Sequence, residues 1–156
     1  MFLPKPDPMN IEPESAQAAL TASIQNGIIC HVAIPCIDLD ASHEFYVGVL
    51  GSTLFREYKD RKTYGLANLQ IVTHICSPDE VLWNPGVYPR HFGLTFVAQQ
   101  DFDTMLKRIN LAETTFVLEP QTRFLGKDEE HLTFIVRDPS HNLVEFKWYL
   151  NPAFAF

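Results

Sequence analysis

Positive charge is scarce in this chain. Its 12 Lys and Arg stand against 19 Asp and Glu, a net charge of -7. A surface of that sign cannot neutralise a run of phosphates, so nucleic acid is excluded as a partner. Cysteine is nearly absent as well. Cys30, Cys36 and Cys76 are too few and too uneven for a disulfide framework, and without a Cys-x-x-Cys pair they suggest no structural zinc. Reduced thiols in a cytoplasmic setting are expected. Cys30 and Cys36 share a strand parity opposite to that of His31, which predicts both as small buried hydrophobes. No apolar run approaches the roughly 20 residues that cross a bilayer. Pro4, Pro6, Pro8 and Pro13 stand where a secretion signal would need an apolar helix, so no membrane association is expected. What the chain does have is apolar bulk, 46% hydrophobic residues with 12 Phe. That is the composition of a packed globular protein, long enough for one domain or for two small modules.

Residues 1 to about 14 are rich in proline and charge and read as the start of a mobile arm, taken to run over residues 1–25 with one or two helical turns at Ala16–Leu20. Residues 26–156 are expected to form one domain. A β-run at Ile28–Ile37 leads into a helix with Asp40 and Ser42 as competing N-caps and an apolar stripe of Phe45, Val49 and Leu50 beside Tyr46, ended by Gly51. Strands are predicted near Ser52–Glu57, Thr63–Ala67 and Leu69–Cys76, before a turn-rich segment at Ser77–Pro89 on which substrate choice should depend. The order then recurs. His91–Ala98 reads as a strand, Asp101–Ala112 as a helix with Phe102, Met105, Leu106 and Ile109 at helical spacing, and Thr114–Leu118, His131–Arg137 and Leu143–Leu150 as strands. A tight turn at Asp138–Asn142 separates the last two.

Laying His31 over His91 places strand on strand and helix on helix, about 60 residues apart. The fold predicted is therefore α+β, two tandem βαβββ modules at about 26–88 and about 89–150. Pseudo-twofold symmetry would give a curved, partly open barrel-like sheet around a cleft, where ligands usually bind. His31 and His91 lead equivalent strands, and Glu145 lies inside an apolar one, Leu143-Val144-Glu145-Phe146. Two imidazoles and a carboxylate on separate strands are a ligand set for a divalent metal with open positions. The alternative is three strand residues satisfying local hydrogen bonds, yet a Glu within an apolar strand is costly to bury without a partner.

Carried by His31-Val32-Ala33-Ile34, Asp38–Tyr46, Val49-Leu50-Gly51, His91-Phe92-Gly93 and Asp138–Phe146, the plan resembles the vicinal oxygen chelate superfamily. That group includes glyoxalase I, fosfomycin-resistance proteins, bleomycin-binding proteins and type I extradiol dioxygenases. The resemblance implies His31, His91 and Glu145 as metal ligands. Two positions depart from it. Where glyoxalase I has a fourth ligand, usually glutamate, this chain has Gln70, a weak ligand for a hard ion, which points to dioxygenase-type ligation. Where the family turn has glycine, this chain has His141, which in a left-handed backbone costs about a kcal/mol.

His74 shares a strand face with Gln70, but four strand residues span roughly 13 Å, so both cannot hold one ion. It reads as a pocket wall or a satisfied strand histidine, and His43 as a solvent-facing helix residue. His131 lies where extradiol enzymes carry an acid-base histidine. Lys147 and Tyr149 share the face of Glu145 by alternation and can reach an anionic or enolate oxygen. Arg123 is a further anion contact or a surface charge. The expectation is a small metal-dependent enzyme holding a small-molecule substrate by two adjacent oxygens. The ion expected is Fe2+ ahead of Mn2+, Ni2+, Zn2+ or Co2+, in a homodimer. A glyoxalase I-type lyase and a metal-free binding protein for a drug or metabolite are the alternatives. The apolar tail Pro152–Phe156 covers a pocket or a partner, or packs on its own domain.

Overall fold

The computed structural model describes residues 29–155, so the arm at 1–25, the turns at 16–20, Ile28 and Phe156 lie outside the described residues. The chain divides after Val81 into two compact units. The first runs β1 (Cys30–Cys36), α1 (Leu39–His43), β2 (Thr53–Glu57), β3 (Arg61–Leu66) and β4 (Leu69–Ile75). Its open sheet has the order β1-β4-β3-β2, with β1 parallel to β4 and the other pairs antiparallel. His31 lies opposite Gln70, and Gln70 opposite Gly65.

Alternation sends Ile34, Cys36, Tyr64, Leu66 and Ile71 to the other face, where they are buried together with Phe45, Tyr46 and Leu50. The Tyr46 and Tyr64 rings stack at 5.2 Å, and each large side chain so buried contributes roughly 1.5–3 kcal/mol. Asp38 caps α1, its Oδ1 accepting from Asp40 N and Ala41 N at 2.9 Å each. The cap is therefore neither Asp40 nor Ser42, because the extended backbone of Asp38 (φ -147°) already aims its carboxylate at those amides. α1 passes into a π-helical turn, Glu44–Val49, and Gly51, at φ +76°, ends it. Two further expectations fail here. Cys30 is exposed at the start of an edge strand. His43 is half-buried, with its Nδ1 out of solvent and its ring 6.3 Å from Tyr64.

Lys62 lies on the helix-facing side, its side chain 6% exposed, bridging Asp40 at 3.0 Å and Glu57 at 2.9 Å. Burial pushes its pKa down, but the hydrogen bonds and charges of Glu57 and Asp40 outweigh that and hold the ammonium above its ordinary value. Burial also raises Tyr64 above an ordinary phenol. Both groups keep their protons longer in the fold than in the unfolded chain. Their stabilisation is complete below about pH 10 and is lost as pH rises above it. Urea unfolding should show stability falling as pH rises above about 10, and the double variant Lys62→Met with Tyr64→Phe should flatten that fall.

The second unit repeats the order with β5 (Phe92–Phe96), α2 (Gln99–Leu111), β6 (Phe116–Arg123), β7 (His131–Arg137) and β8 (Leu143–Tyr149). Its open sheet is ordered β5-β8-β7-β6, with β5 parallel to β8. Phe102, Met105 and Ile109 of α2 are buried, and the Phe134 ring stands 5.3 Å from Phe102, 5.7 Å from Phe116 and 5.2 Å from Phe146. That apolar cluster occupies one face of the sheet. The architecture is thus α+β, two four-stranded mixed sheets with few helices, neither closed into a barrel. Among the described residues no helix is long and apolar enough to cross a membrane.

Candidate functional site

Because Phe146 packs on Phe134 in the cluster that includes Phe102 of α2, alternation places Glu145, Lys147 and Tyr149 on the opposite face of the second unit's sheet. Glu145 is 4% exposed yet fully engaged. Thr133 Oγ1 donates to its Oε1 at 2.8 Å, while His91 Nε2 and Lys147 Nζ approach its Oε2 at 3.1 and 3.0 Å. Strand register explains the meeting, since Thr133 lies opposite Lys147 on β7 and Gly93 opposite Glu145 on β5. A Cβ on Gly93 would stand 1.7 Å from the Glu145 carbonyl oxygen. Only glycine lets β5 run this close, and His91 immediately precedes β5.

His91 Nδ1 lies 2.9 Å from the Val87 carbonyl oxygen. A carbonyl only accepts, so Nδ1 carries the hydrogen, and in the neutral ring Nε2 is a lone pair facing a carboxylate. Two acceptors at 3.1 Å need a positive charge between them, either a proton on His91 or a shared cation. An imidazole and a carboxylate oriented in this way, each held by a further hydrogen bond, form a donor pair that suits a divalent ion.

His131, 7% exposed, is built likewise. Its Nδ1 donates to the Glu129 carbonyl at 2.9 Å, leaving Nε2 as the basic nitrogen, and its ring packs 4.5 Å from Tyr149 and 5.7 Å from Phe124. Arg123 lies opposite His131 on β6 and donates to the Tyr88 hydroxyl at 3.2 Å. The Tyr88 ring in turn stands edge-on to His91 at 5.6 Å.

In the first unit His31 is exposed on β1. Its register partner Gln70 lines a cavity of about 320 Å³ with Ile29, Phe55, Arg56, Gly65 and Asn68 among its walls. His74 is exposed, opposite Pro35 and Arg61. Gly65 makes room for Phe55, whose Cε2 would be 2.2 Å from a Cβ at that position. A ring can yield where a backbone cannot. Gly65→Ala should therefore displace Phe55, reshape this cavity and cost about 1–2 kcal/mol, seen as a melting temperature lowered by roughly 3–6 °C.

The structure thus gathers His91, Glu145 and Lys147, and sets His131 against Tyr149. His31 and Gln70 pair in the other unit, and among the described residues no three His, Cys, Asp or Glu side chains form a group able to hold a metal ion. Thr133 and Gly93, which hold the carboxylate and admit its neighbour strand, are not singled out in the sequence. Their signal lies in the alternation from His131 on β7 and in the register of β5 against β8.

The family model of the Glyoxalase/Bleomycin resistance protein/Dioxygenase superfamily matches residues 28–146. Among solved structures, a glyoxalase/bleomycin resistance protein/dioxygenase from Alicyclobacillus acidocaldarius is 39% identical, with a TM-score of 0.79 over 83% of this chain and 97% of that one. Lactoylglutathione lyase from Agrobacterium tumefaciens is 17% identical, TM-score 0.61, over 83% and 98% of the two chains. The fosfomycin resistance protein FosX from Listeria monocytogenes is 16% identical, TM-score 0.59, over 81% and 96%. The last two show likeness of fold alone. No curated protein matches by sequence.

Proposed function

The chain belongs to the Glyoxalase/Bleomycin resistance protein/Dioxygenase superfamily, and on that footing we propose that it is a small metal-dependent enzyme acting on a small molecule with two adjacent oxygens. His91 and Glu145 are two of the ligands, and the family resemblance adds His31 as the third. The observation that carries this reading is the buried Glu145 carboxylate facing Nε2 of a His91 ring oriented by the Val87 carbonyl. Gln70 in place of a carboxylate favours dioxygenase-type ligation and Fe2+, with Mn2+, Ni2+, Zn2+ or Co2+ as the other ions, and disfavours a glyoxalase I-type lyase. When bound, the ion supplies Lewis acidity toward the paired oxygens.

The chain's own residues do the rest. Thr133 fixes the carboxylate through Oε1. The Val87 carbonyl fixes the His91 tautomer. His131 Nε2 takes or returns the substrate proton, because its Nδ1 is committed to Glu129. Lys147 meets negative charge developing on a substrate oxygen. A homodimer in the cytoplasm completes the proposal.

A second reading, metal-free binding of a drug or metabolite, is favoured by one contact, the Lys147 ammonium on the same Oε2 that a metal would use. Elemental analysis of protein purified without added metal or chelator separates the two. About one ion per chain, lost in His31→Ala and in Glu145→Ala, supports the enzyme, and dioxygen uptake with catechol then distinguishes oxygenase from lyase. No ion, even after reconstitution with each of the five, leaves the binding protein.

A further inference from the structure

β7 sends one more side chain to the face that carries Glu145. His131, Thr133, Ile135 and Arg137 alternate onto it, and Arg137 pairs with Leu143 at the end of the ladder. This makes Arg137 a diagonal neighbour of Glu145, roughly 7–8 Å away between Cα atoms and within reach of a long side chain. The carboxylate does not take it up, because its oxygens are already engaged by Thr133, His91 and Lys147. Arg137 Nε is buried with no hydrogen-bond partner, although the residue is only half-buried as a whole. One nitrogen of the guanidinium is thus held out of water without an acceptor, which is unfavourable, and the planar fork is shaped for paired anionic oxygens.

The charge around it has the same sense. In a chain of net charge -7, the regular strand positions of this face carry Arg123, Lys147 and Arg137 against one acid, Glu145, among the described residues. A further acid of β6, Glu119, lies in the irregular stretch between Leu118 and Gln121.

The geometry points to a substrate that carries an anionic oxygen group, a carboxylate or a phosphoryl, in addition to its chelating pair of oxygens, with Arg137 as the residue that reads it. This rests on the metal-dependent reading proposed above and deepens it by naming the charge of the substrate. Arg137 is here a specificity-determining residue, one that contacts the part of the substrate away from the reacting oxygens.

Two chelators that differ in one carboxylate test it. Acetohydroxamate and malonohydroxamate present the same two oxygens to an ion, and only the second has the anionic tail. Full-length protein loaded with Ni2+ is titrated with each by calorimetry, and each affinity is taken relative to that for free Ni2+ in buffer. Malonohydroxamate should bind at least about tenfold tighter in the native protein. Arg137→Gln should reduce that preference to less than about threefold while leaving acetohydroxamate within about twofold of native, and Arg137→Lys should fall between. A merely structural Arg137 would weaken both chelators together and keep their ratio. Equal binding of the two by the native protein, or a preference that survives in both variants, overturns the inference while leaving the metal site standing. Binding of neither chelator overturns the metal reading and the inference with it.

Discussion

Glu145→Gln is expected to weaken the affinity for Mn2+ or Ni2+ by at least about a hundredfold, close to 3 kcal/mol, in a titration of protein first stripped with chelator. The amide keeps the shape of the side chain, and its oxygen can still accept from Thr133, as Oε1 does now at 2.8 Å. The position of Oε2 then becomes an NH2 group facing His91 Nε2 and the Lys147 ammonium, which stand at 3.1 and 3.0 Å. A donor replaces a charged acceptor, and no lone pair remains there for an ion. The cost to the metal-free fold should be smaller, about 1–2 kcal/mol by urea unfolding in chelator. A hydrogen bond to a charged group contributes about 1.5–3 kcal/mol, but Lys147, whose side chain is 29% exposed, can turn to water. The two measurements therefore separate a ligand from a structural carboxylate. Unchanged metal affinity with the stability loss present would remove Glu145 from the ligand set.

Much of this could be read from residue order, and what could not depends on register. The predicted strand His131–Arg137 coincides with β7, because alternation and turn residues bracket it on both sides. The sequence pattern predicts a strand at Thr114–Leu118, whereas β6 runs Phe116–Arg123. Pro120 cannot donate to a regular ladder, but the pairing of β6 with β7 shifts between Leu118 and Gln121, and this irregularity absorbs it. His141 does adopt the left-handed backbone for which the family turn uses glycine, at φ +66°. The turn tolerates it because Asp138 Oδ1 accepts from both Ser140 N and Asn142 N at 2.8 Å. At the site, His91 and Glu145 stood out as a histidine leading a repeat and an acid within apolar residues, and parity added Lys147. Thr133, Gly93 and Arg137 stayed hidden. Each acquires its role from the residue opposite it on another strand, and a one-residue slip would have sent it to the other face.

Gly93→Ala should be the most damaging single methyl group in the second unit, lowering the melting temperature by about 10 °C or leaving the protein insoluble. Its backbone angles suit any L-residue, so reducing the freedom of the unfolded chain would by itself favour alanine by about 0.4–1 kcal/mol. That gain is overwhelmed by contact. The new Cβ would lie 1.7 Å from the Glu145 carbonyl oxygen and 2.6 Å from its carbonyl carbon, and both belong to a backbone held in the parallel β5–β8 ladder. Relief requires the two strands to part, sacrificing ladder hydrogen bonds and the packing of Phe96 on Phe146, whose rings stack at 6.2 Å. A cost of about 3–4 kcal/mol follows. Gly65→Ala is the matched control, since its clash is with the movable Phe55 ring and its cost should be no more than about half as large. Whatever fraction of Gly93→Ala folds should also bind Ni2+ poorly, because β5 carries His91 and a displaced strand pulls its Nε2 away from Glu145. A variant that melts like the native protein would mean that Gly93 does not lie opposite Glu145, and the donor pair would have to be rebuilt from a different register.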